Sequence, residues 1–402
     1  MSRAYNFSAG PAALPLEVLQ DAQKDLVDYK GCGMSVMEMS HRGKDYDAIH
    51  QEAIATFKEL CGLDDDWSVC FIQGGASMQF AMIPMNFLAA GATADYVNAG
   101  TWSNKAIKEA KKIAEMRGAK VNIVADCQKD IPTRQPDTFN WTEGAAYAHI
   151  CTNETISGAE MKTIPDVSVP LIGDMSSDIL SCERDYNKFS MFYAGAQKNL
   201  GPSGMAVVAI RKELAAKGDD KIPTMLQYRT YVDENSLFNT PPTWGIYIFG
   251  ETMKWVKKMG KENLFKLNAE KAGKIYDVID SSDFWTGTAL KEYRSNMNVT
   301  WRIKNGDEAL EKKFIDEAKA LGMSSLKGHR SVGGIRASIY NAFPMEGVDA
   351  LVAFMKDFEK ANKIAGQGFF LNFCGYLVFL LLGLFFVPFC SLCWLQLQQL
   401  QL

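Results

Sequence analysis

The chain has 402 residues, with 43 Lys plus Arg set against 47 Asp plus Glu and a formal net charge of −4. That length is too great for one small core and predicts two lobes, and the near-neutral balance excludes the basic footprint of a nucleic-acid binder. At 22% charged and 47% hydrophobic residues the composition excludes a disordered chain, but it is not uniform: every Asp, Glu, Lys and Arg lies at or before Lys363.

The N-terminal MSRAYNFSAGPAALP has no apolar stretch of the kind a secretory signal needs. Of nine cysteines, six are scattered singly through the charged part, which predicts reduced thiols in a cytoplasmic protein rather than a disulfide framework. Cys390 and Cys393 form a lone CxxC, too little for a metal site. Helical spacing begins after Pro15 and covers 16–30, then returns over 44–61 and stops at Gly62. The apolar run Ser68–Ile72 follows, then Gly74-Gly75 and a helix from about Ser77. Ala94–Asn98 (strand), Ser103–Arg117 (helix) and Val121–Ala125 (strand) come next. Ala145–Cys151, Val169–Ile172 and Met191–Ala194 are further short apolar runs. Strands alternating with helices predict an α/β fold with a mostly parallel sheet covered on both faces.

Helical patterns over 247–259 and 262–280, strands at Asn298–Ile303 and Ile335–Ile339, and helices over 309–321 and 348–360 make a smaller α+β lobe. The expected organisation is an N-terminal arm 1–15, a large domain 16–255, a small C-terminal domain 256–365 and an apolar tail 366–402.

Four features of the large lobe carry chemistry. Ala194-Gly195-Ala196-Gln197-Lys198-Asn199-Leu200-Gly201 places one lysine in a Gly-flanked turn after a strand. There an amine can be desolvated and its pKa lowered for imine chemistry, although a solvated loop lysine has the same local sequence. Val169–Ile172 ends in Gly173-Asp174, a buried-strand aspartate that needs a partner such as a protonated ring nitrogen, or else caps the next helix. Gly74-Gly75-Ala76-Ser77 opens a helix whose N–H groups suit a phosphate. Trp102 follows the strand Ala94–Asn98 and can stack on a flat ring, or anchor a core. All four stand at the C-terminal ends of strands, the edge where open α/β sheets bind ligands. A phosphate, a flat ring, a ring nitrogen and a carbonyl carbon together specify pyridoxal 5′-phosphate. Two Gly-flanked His-Arg pairs, His41-Arg42 and His329-Arg330, with Arg336 beyond them, point to a doubly anionic substrate.

With these residues in view, the chain from residue 4 to about 363 resembles the phosphoserine aminotransferases, pyridoxal-phosphate enzymes of fold-type I. The matching stretches are NFSAGPA (6–12), MSHRG (39–43), QGGASMQF (73–80), DYVNAGTW (95–102), NETISG (153–158), DMSS (174–177), YAGAQKNLG (193–201), FNTPP (238–242) and Gly328–Arg336. The resemblance implies transamination between O-phospho-L-serine and 2-oxoglutarate, with 3-phosphohydroxypyruvate and L-glutamate as the other pair, in serine biosynthesis. It implies that Lys198 carries the cofactor and shuttles the proton, that Asp174 pairs with the ring nitrogen, and that Trp102 stacks on the ring. Thr155 would bond the ring hydroxyl, and Ala76, Ser77 and Gln197 would face the cofactor phosphate. Asn239 and Thr240 would reach that phosphate from the second subunit of a homodimer with shared active sites. Arg336 would hold the substrate α-carboxylate, and His41, Arg42, His329 and Arg330 the distal phosphate or carboxylate, with Ser8 nearby. Position 77 is Ser where some relatives carry Arg, which would shift phosphate binding onto the His-Arg pairs.

Two other readings compete. One is another fold-type I enzyme, such as an aminotransferase for alanine and glyoxylate or a desulfurase, although no mobile catalytic cysteine stands out. The other is a non-catalytic cofactor-binding protein, against which the intact Lys198, Asp174 and substrate cluster argue. The run Phe369–Leu395 exceeds the roughly 20 apolar residues needed to span a bilayer. The abrupt break after the last helix favours a segment foreign to the enzyme, from read-through past an exon end, over a tail anchor facing the cytosol. A membrane is expected as a partner only if this tail is native.

Overall fold

A computed structural model describes residues 3–304 and 306–363, and the tail 366–402 lies outside the described residues. The described residues fall into two compact units that divide between Val352 and Ala353. The first is built around a seven-stranded sheet: β1 Trp67–Gln73, β2 Thr93–Asn98, β3 Lys120–Asp126, β4 Ala148–Cys151, β5 Leu171–Asp174, β6 Met191–Gly195 and β7 Met205–Arg211. Their spatial order is β1-β7-β6-β5-β4-β2-β3. The pairs from β6 through β3 are parallel, while β7 is antiparallel to both β1 and β6. The principal helices are α1 Leu16–Asp25, α2 Lys44–Cys61, α3 Gly75–Phe87, α4 Thr101–Arg117, α5 Thr243–Met259, α6 Lys261–Asp280 and α7 Glu308–Ala320.

Alternation along the strands supplies two cores. Val69, Phe71, Phe192, Ala194, Val207 and Ala209 point to one face and pack with Phe57 of α2 and Phe249 and Met253 of α5. Their neighbours Cys70, Ile72, Met191, Tyr193, Val208 and Ile210 point to the other, against Phe80 and Ile83 of α3 and Ile107 and Ala110 of α4. Both faces are therefore apolar, as a sheet covered by helices on both sides requires.

A second, antiparallel sheet joins β8 Trp285–Gly287, β9 Asn298–Ile303 and β10 Ile335–Ser338, with Thr300 opposite Arg336. The N-terminal segment Tyr5–Asn6 pairs in parallel with Met323–Ser324. Residues 345–352 close the first unit as helix. In the second unit residues 353–363 are helical, with the Asn362 amide donating to the Phe358 carbonyl at 2.7 Å.

Some details differ from the sequence expectation. The helix expected over 16–30 ends at Asp25; the chain is extended at Asp28 (φ −143°, ψ 95°), and a separate turn, Tyr29–Gly31, follows with Lys30 at a left-handed φ of 50°. Leu26 and Val27 are consequently exposed. The strand Met205–Arg211 was not anticipated. Its apolar run directly follows the Gly-Pro-Ser-Gly turn, yet it inserts between the edge strand β1 and β6, antiparallel to both, so that β1 and β6 run in the same direction.

Candidate active site

The carboxyl ends of β1, β2, β5 and β6 open onto one cavity of about 560 Å³. It is lined by Ala76, Ser77, Trp102, Thr155, Asp174, Gln197, Lys198, His329 and Arg336, all singled out in the sequence. At the end of β1, Gly74 and Gly75 both take left-handed φ, 95° and 62°. Glycine allows that turn, and it aims the first N–H groups of α3 at the cavity with no acidic side chain in the first turn to compete.

Lys198 follows β6 and is 8% exposed. Its Nζ donates to Thr155 Oγ1 at 2.7 Å and lies 5.5 Å from the centre of the Trp102 ring. Burial pulls this amine below the usual lysine range, against the opposing pull of Asp174. Asp174, the last residue of β5, accepts from the Ser176 backbone N–H at 2.9 Å and from Ser176 Oγ at 2.6 Å, both on Oδ1. Burial pushes its carboxyl upward; Ser176 and Lys198 act the other way. Ser176 Oγ also accepts from the Gly195 N–H at 3.1 Å, tying the ends of β5 and β6 together.

Trp102 stands in the first turn of α4. That turn begins at Gly100, which has no capping side chain. The cap comes from Glu154, which is fully buried and accepts from the Trp102 N–H (3.0 Å), the Ser103 N–H (2.8 Å) and Ser103 Oγ (2.7 Å). Glu154 was missed in the sequence. The available signal was a helix opening with no cap of its own, together with an acid inside the NETISG motif. Other lining residues not anticipated individually are Ala9, Gly10 and Pro11 of the arm, Cys151, Asn153, Ile156, Ser176, Ser203 and Gly204.

Arg336, in the middle of β10, donates from Nη1 to the Thr155 carbonyl at 3.4 Å, while its Nε is buried with no partner. Burial lowers its pKa from the ordinary arginine value. His329 Nδ1 lies 3.2 Å from the Ser331 N–H, a group that can only donate. Nδ1 is therefore the acceptor, and the proton of the neutral ring sits on Nε2. Burial, then Arg336, Arg330 and Lys105, hold the ring below the usual histidine range. Two buried donors without partners, Arg336 Nε and Trp102 Nε1, mark the cavity as made for a polar guest.

The remaining predicted residues do not line this chain's cavity. His41 and Arg42 precede α2, and His41 Nε2 is buried without a partner. Asn239 and Thr240 precede α5, with the Asn239 amide donating only to the Thr240 carbonyl at 3.2 Å. Arg330 is exposed beside His329. Ser8 Oγ accepts from the Gly10 N–H at 3.4 Å in the arm. Among the described residues no cluster of His, Cys, Asp or Glu could hold a metal ion.

The cavity thus combines a helix N-terminus for an anion, an indole face, a buried carboxylate that would gain from a cationic nitrogen, and a buried amine. That donor set fits pyridoxal 5′-phosphate. The family model "Aminotransferase class-V" matches residues 4–351. The chain is 53% identical over 363 residues to a phosphoserine aminotransferase of Niallia circulans, covering 90% of this chain and 99% of that protein. The solved phosphoserine aminotransferase from Bacillus circulans subsp. alkalophilus superposes with a TM-score of 0.85 at 51% identity, over 90% of this chain and 99% of that one. A PLP-bound phosphoserine aminotransferase from Trichomonas vaginalis gives a TM-score of 0.84 at 43% identity, over 88% of this chain and all of that one.

Proposed function

This chain belongs to the class-V aminotransferases, and from that membership we propose that it moves the amino group between O-phospho-L-serine and 2-oxoglutarate. The observation that carries the reading is one cavity whose lining shares a buried lysine, a buried aspartate and an arginine with an unpartnered Nε, in a chain 53% identical to a phosphoserine aminotransferase. The cofactor is pyridoxal 5′-phosphate, and the chemistry it supplies when bound is an electron sink for the bond broken at the substrate Cα.

The protein does the rest. The first turn of α3, with Ala76, Ser77 and Gln197, receives the cofactor phosphate. Asp174 keeps the ring nitrogen protonated; a buried carboxylate gains most from such a partner. Trp102 covers the ring and Thr155 bonds its hydroxyl. Lys198 would hold the cofactor's carbonyl carbon until the substrate amine displaces it, and its freed amine would then take up and return the substrate Cα proton. A buried amine with a lowered pKa is suited to that exchange. Arg336 orients the substrate α-carboxylate by a two-pronged contact, and His329 offers an Nε2–H to the distal anion.

His41, Arg42, Asn239 and Thr240 complete the site from the second subunit of a homodimer, which also brings Arg330 into use. Leu16, Leu26, Val27, Met34 and Met37, exposed in the stretch before His41, support such an interface. A cytoplasmic location is consistent with the six cysteines among the described residues, all of which are free. No helix among the described residues is long and apolar enough to cross a membrane.

The test is glutamate formation from O-phospho-L-serine and 2-oxoglutarate by the purified, cofactor-loaded full chain. We expect turnover that Lys198→Ala lowers by at least about a thousandfold. A higher kcat/KM with alanine and glyoxylate, or turnover that survives Lys198→Ala, overturns the reading.

A further inference from the structure

The loop that carries His329 rests on one side chain outside the cavity. Arg302 lies on β9, next to the strand that bears Arg336. Its Nε and Nη2 donate to the two carboxylate oxygens of Glu311 at 2.6 and 3.1 Å, and its Nη1 donates to the Val332 carbonyl at 3.3 Å. Glu311 is 5% exposed and is itself fixed, since its Oε1 also accepts from the Ile303 N–H at 3.2 Å. It stands one turn into α7, a helix capped by Asp307, which accepts from the N–H groups of Ala309 and Leu310. A chain of contacts therefore runs from a capped helix through a bidentate pair to the loop backbone.

The loop is shaped to this platform. A side chain at Gly334 would place Cβ 2.5 Å from Arg302 Cδ and 2.7 Å from the Trp301 carbonyl; at Gly333 the guanidinium is 3.6 Å away. Glycine at 334 lets the backbone lie against the arginine, and both glycines supply the left-handed φ of 68° and 69° that the turn needs. The loop closes on itself through Gly328 N–H to Gly334 O at 2.9 Å, and through Val332 and Gly333 N–H to His329 O at 3.0 and 2.8 Å. The latter two converge on the His329 carbonyl, and the His329 ring is oriented by Ser331.

We propose that Arg302, held by Glu311, is a positioning residue that sets the His329–Arg330 loop for the distal anion of the substrate. The inference rests on the reading of His329 as an anion contact. Arg302 touches neither substrate nor cofactor. It fixes where the Nε2–H of His329 points, so its loss weakens recognition of a distal phosphate while leaving the reacting atoms in place.

The experiment compares wild type, Arg302→Met, Arg302→Lys and His329→Ala as cofactor-loaded full chains. Each half-reaction is followed by cofactor absorbance, with O-phospho-L-serine and with L-alanine, which has no distal anion. For Arg302→Met we expect half-saturation by O-phospho-L-serine to rise about tenfold. The limiting rate stays within about twofold, the L-alanine reaction is unchanged, and amide exchange in 328–334 is faster. Arg302→Lys, which keeps the charge but not the fork, falls between. If Arg302→Met leaves half-saturation unchanged while His329→Ala raises it, the inference fails and the site reading stands. If neither variant moves it, the reading of His329 fails, and the inference with it. Equal loss with both amino acids shows a general structural role and also overturns the inference.

Discussion

On one wall of the cavity Lys198, Asp174 and Trp102 are each tied to a neighbour: the amine to Thr155, the carboxylate to Ser176, the tryptophan backbone to Glu154. On a second part of the lining Arg336 keeps an unpartnered Nε, and His329 sits on a glycine-rich loop beside the exposed Arg330. The first wall is finished by elements of the sheet and its edge, so its groups are pre-oriented, and burial draws the Lys198 amine down and the Asp174 carboxyl up. The second leaves donors free for an anion that comes and goes. A group that stays bound is served by fixed dipoles; an exchanged substrate is served by donors that gain partners only when it arrives.

Asp174→Asn should give the largest effect. The amide keeps an oxygen for Ser176 but cannot hold a cationic ring nitrogen, and turnover should fall by roughly a thousandfold. Single-turnover rates with phosphoserine and with glutamate should drop alike; a loss confined to one amino acid would break the division of labour between the walls. Arg336→Lys should be milder, since the charge survives and the fork does not. We expect half-saturation to rise about tenfold for both amino acids with the limiting rate within a few-fold, and a large fall in limiting rate with unchanged half-saturation would assign Arg336 to the chemical step instead. Glu154→Gln should be smallest in activity and visible in stability. Its amide group would oppose the N–H groups that now donate to the carboxylate, at a cost of about 1–2 kcal/mol. Thermal unfolding should move down by about 1–3 °C while turnover falls less than about fivefold. An unchanged midpoint would show that the cap is not what fixes Trp102.

Much of this was legible in the sequence, for reasons that differ along the chain. The faces of the sheet follow from strict alternation: Val69 and Phe71 go one way and Cys70 and Ile72 the other, and burial enforces the pattern. Helix α2, with its stop at Gly62 in left-handed geometry, follows from 3.6-residue spacing and a glycine. Lys198, Asp174 and Trp102 were readable because each ends or follows a strand. The strand Met205–Arg211 was lost because a turn and a strand abut with no polar spacer between them. Glu154 was lost because its role depends on a helix 51 residues away in sequence, and local spacing holds no record of that. The Arg302–Glu311 pair was equally invisible, since an arginine in a strand and a glutamate in a helix are each unremarkable until β9 and α7 are brought together.

The N-terminal arm has a consequence for the order in which the molecule is made. Tyr5 and Asn6 pair with Met323 and Ser324, and the Ala9 carbonyl accepts from Tyr340 Oη, 331 residues along the chain. Ala9, Gly10 and Pro11 line the cavity, so a segment made hundreds of residues before its partners is among the last to find its place. At about 5–20 residues per second, the arm waits tens of seconds for its partners while the sheet strands between residues 67 and 211 assemble. The cavity becomes competent for its guest only when synthesis has passed Tyr340, which makes cofactor capture a late event in the birth of this chain.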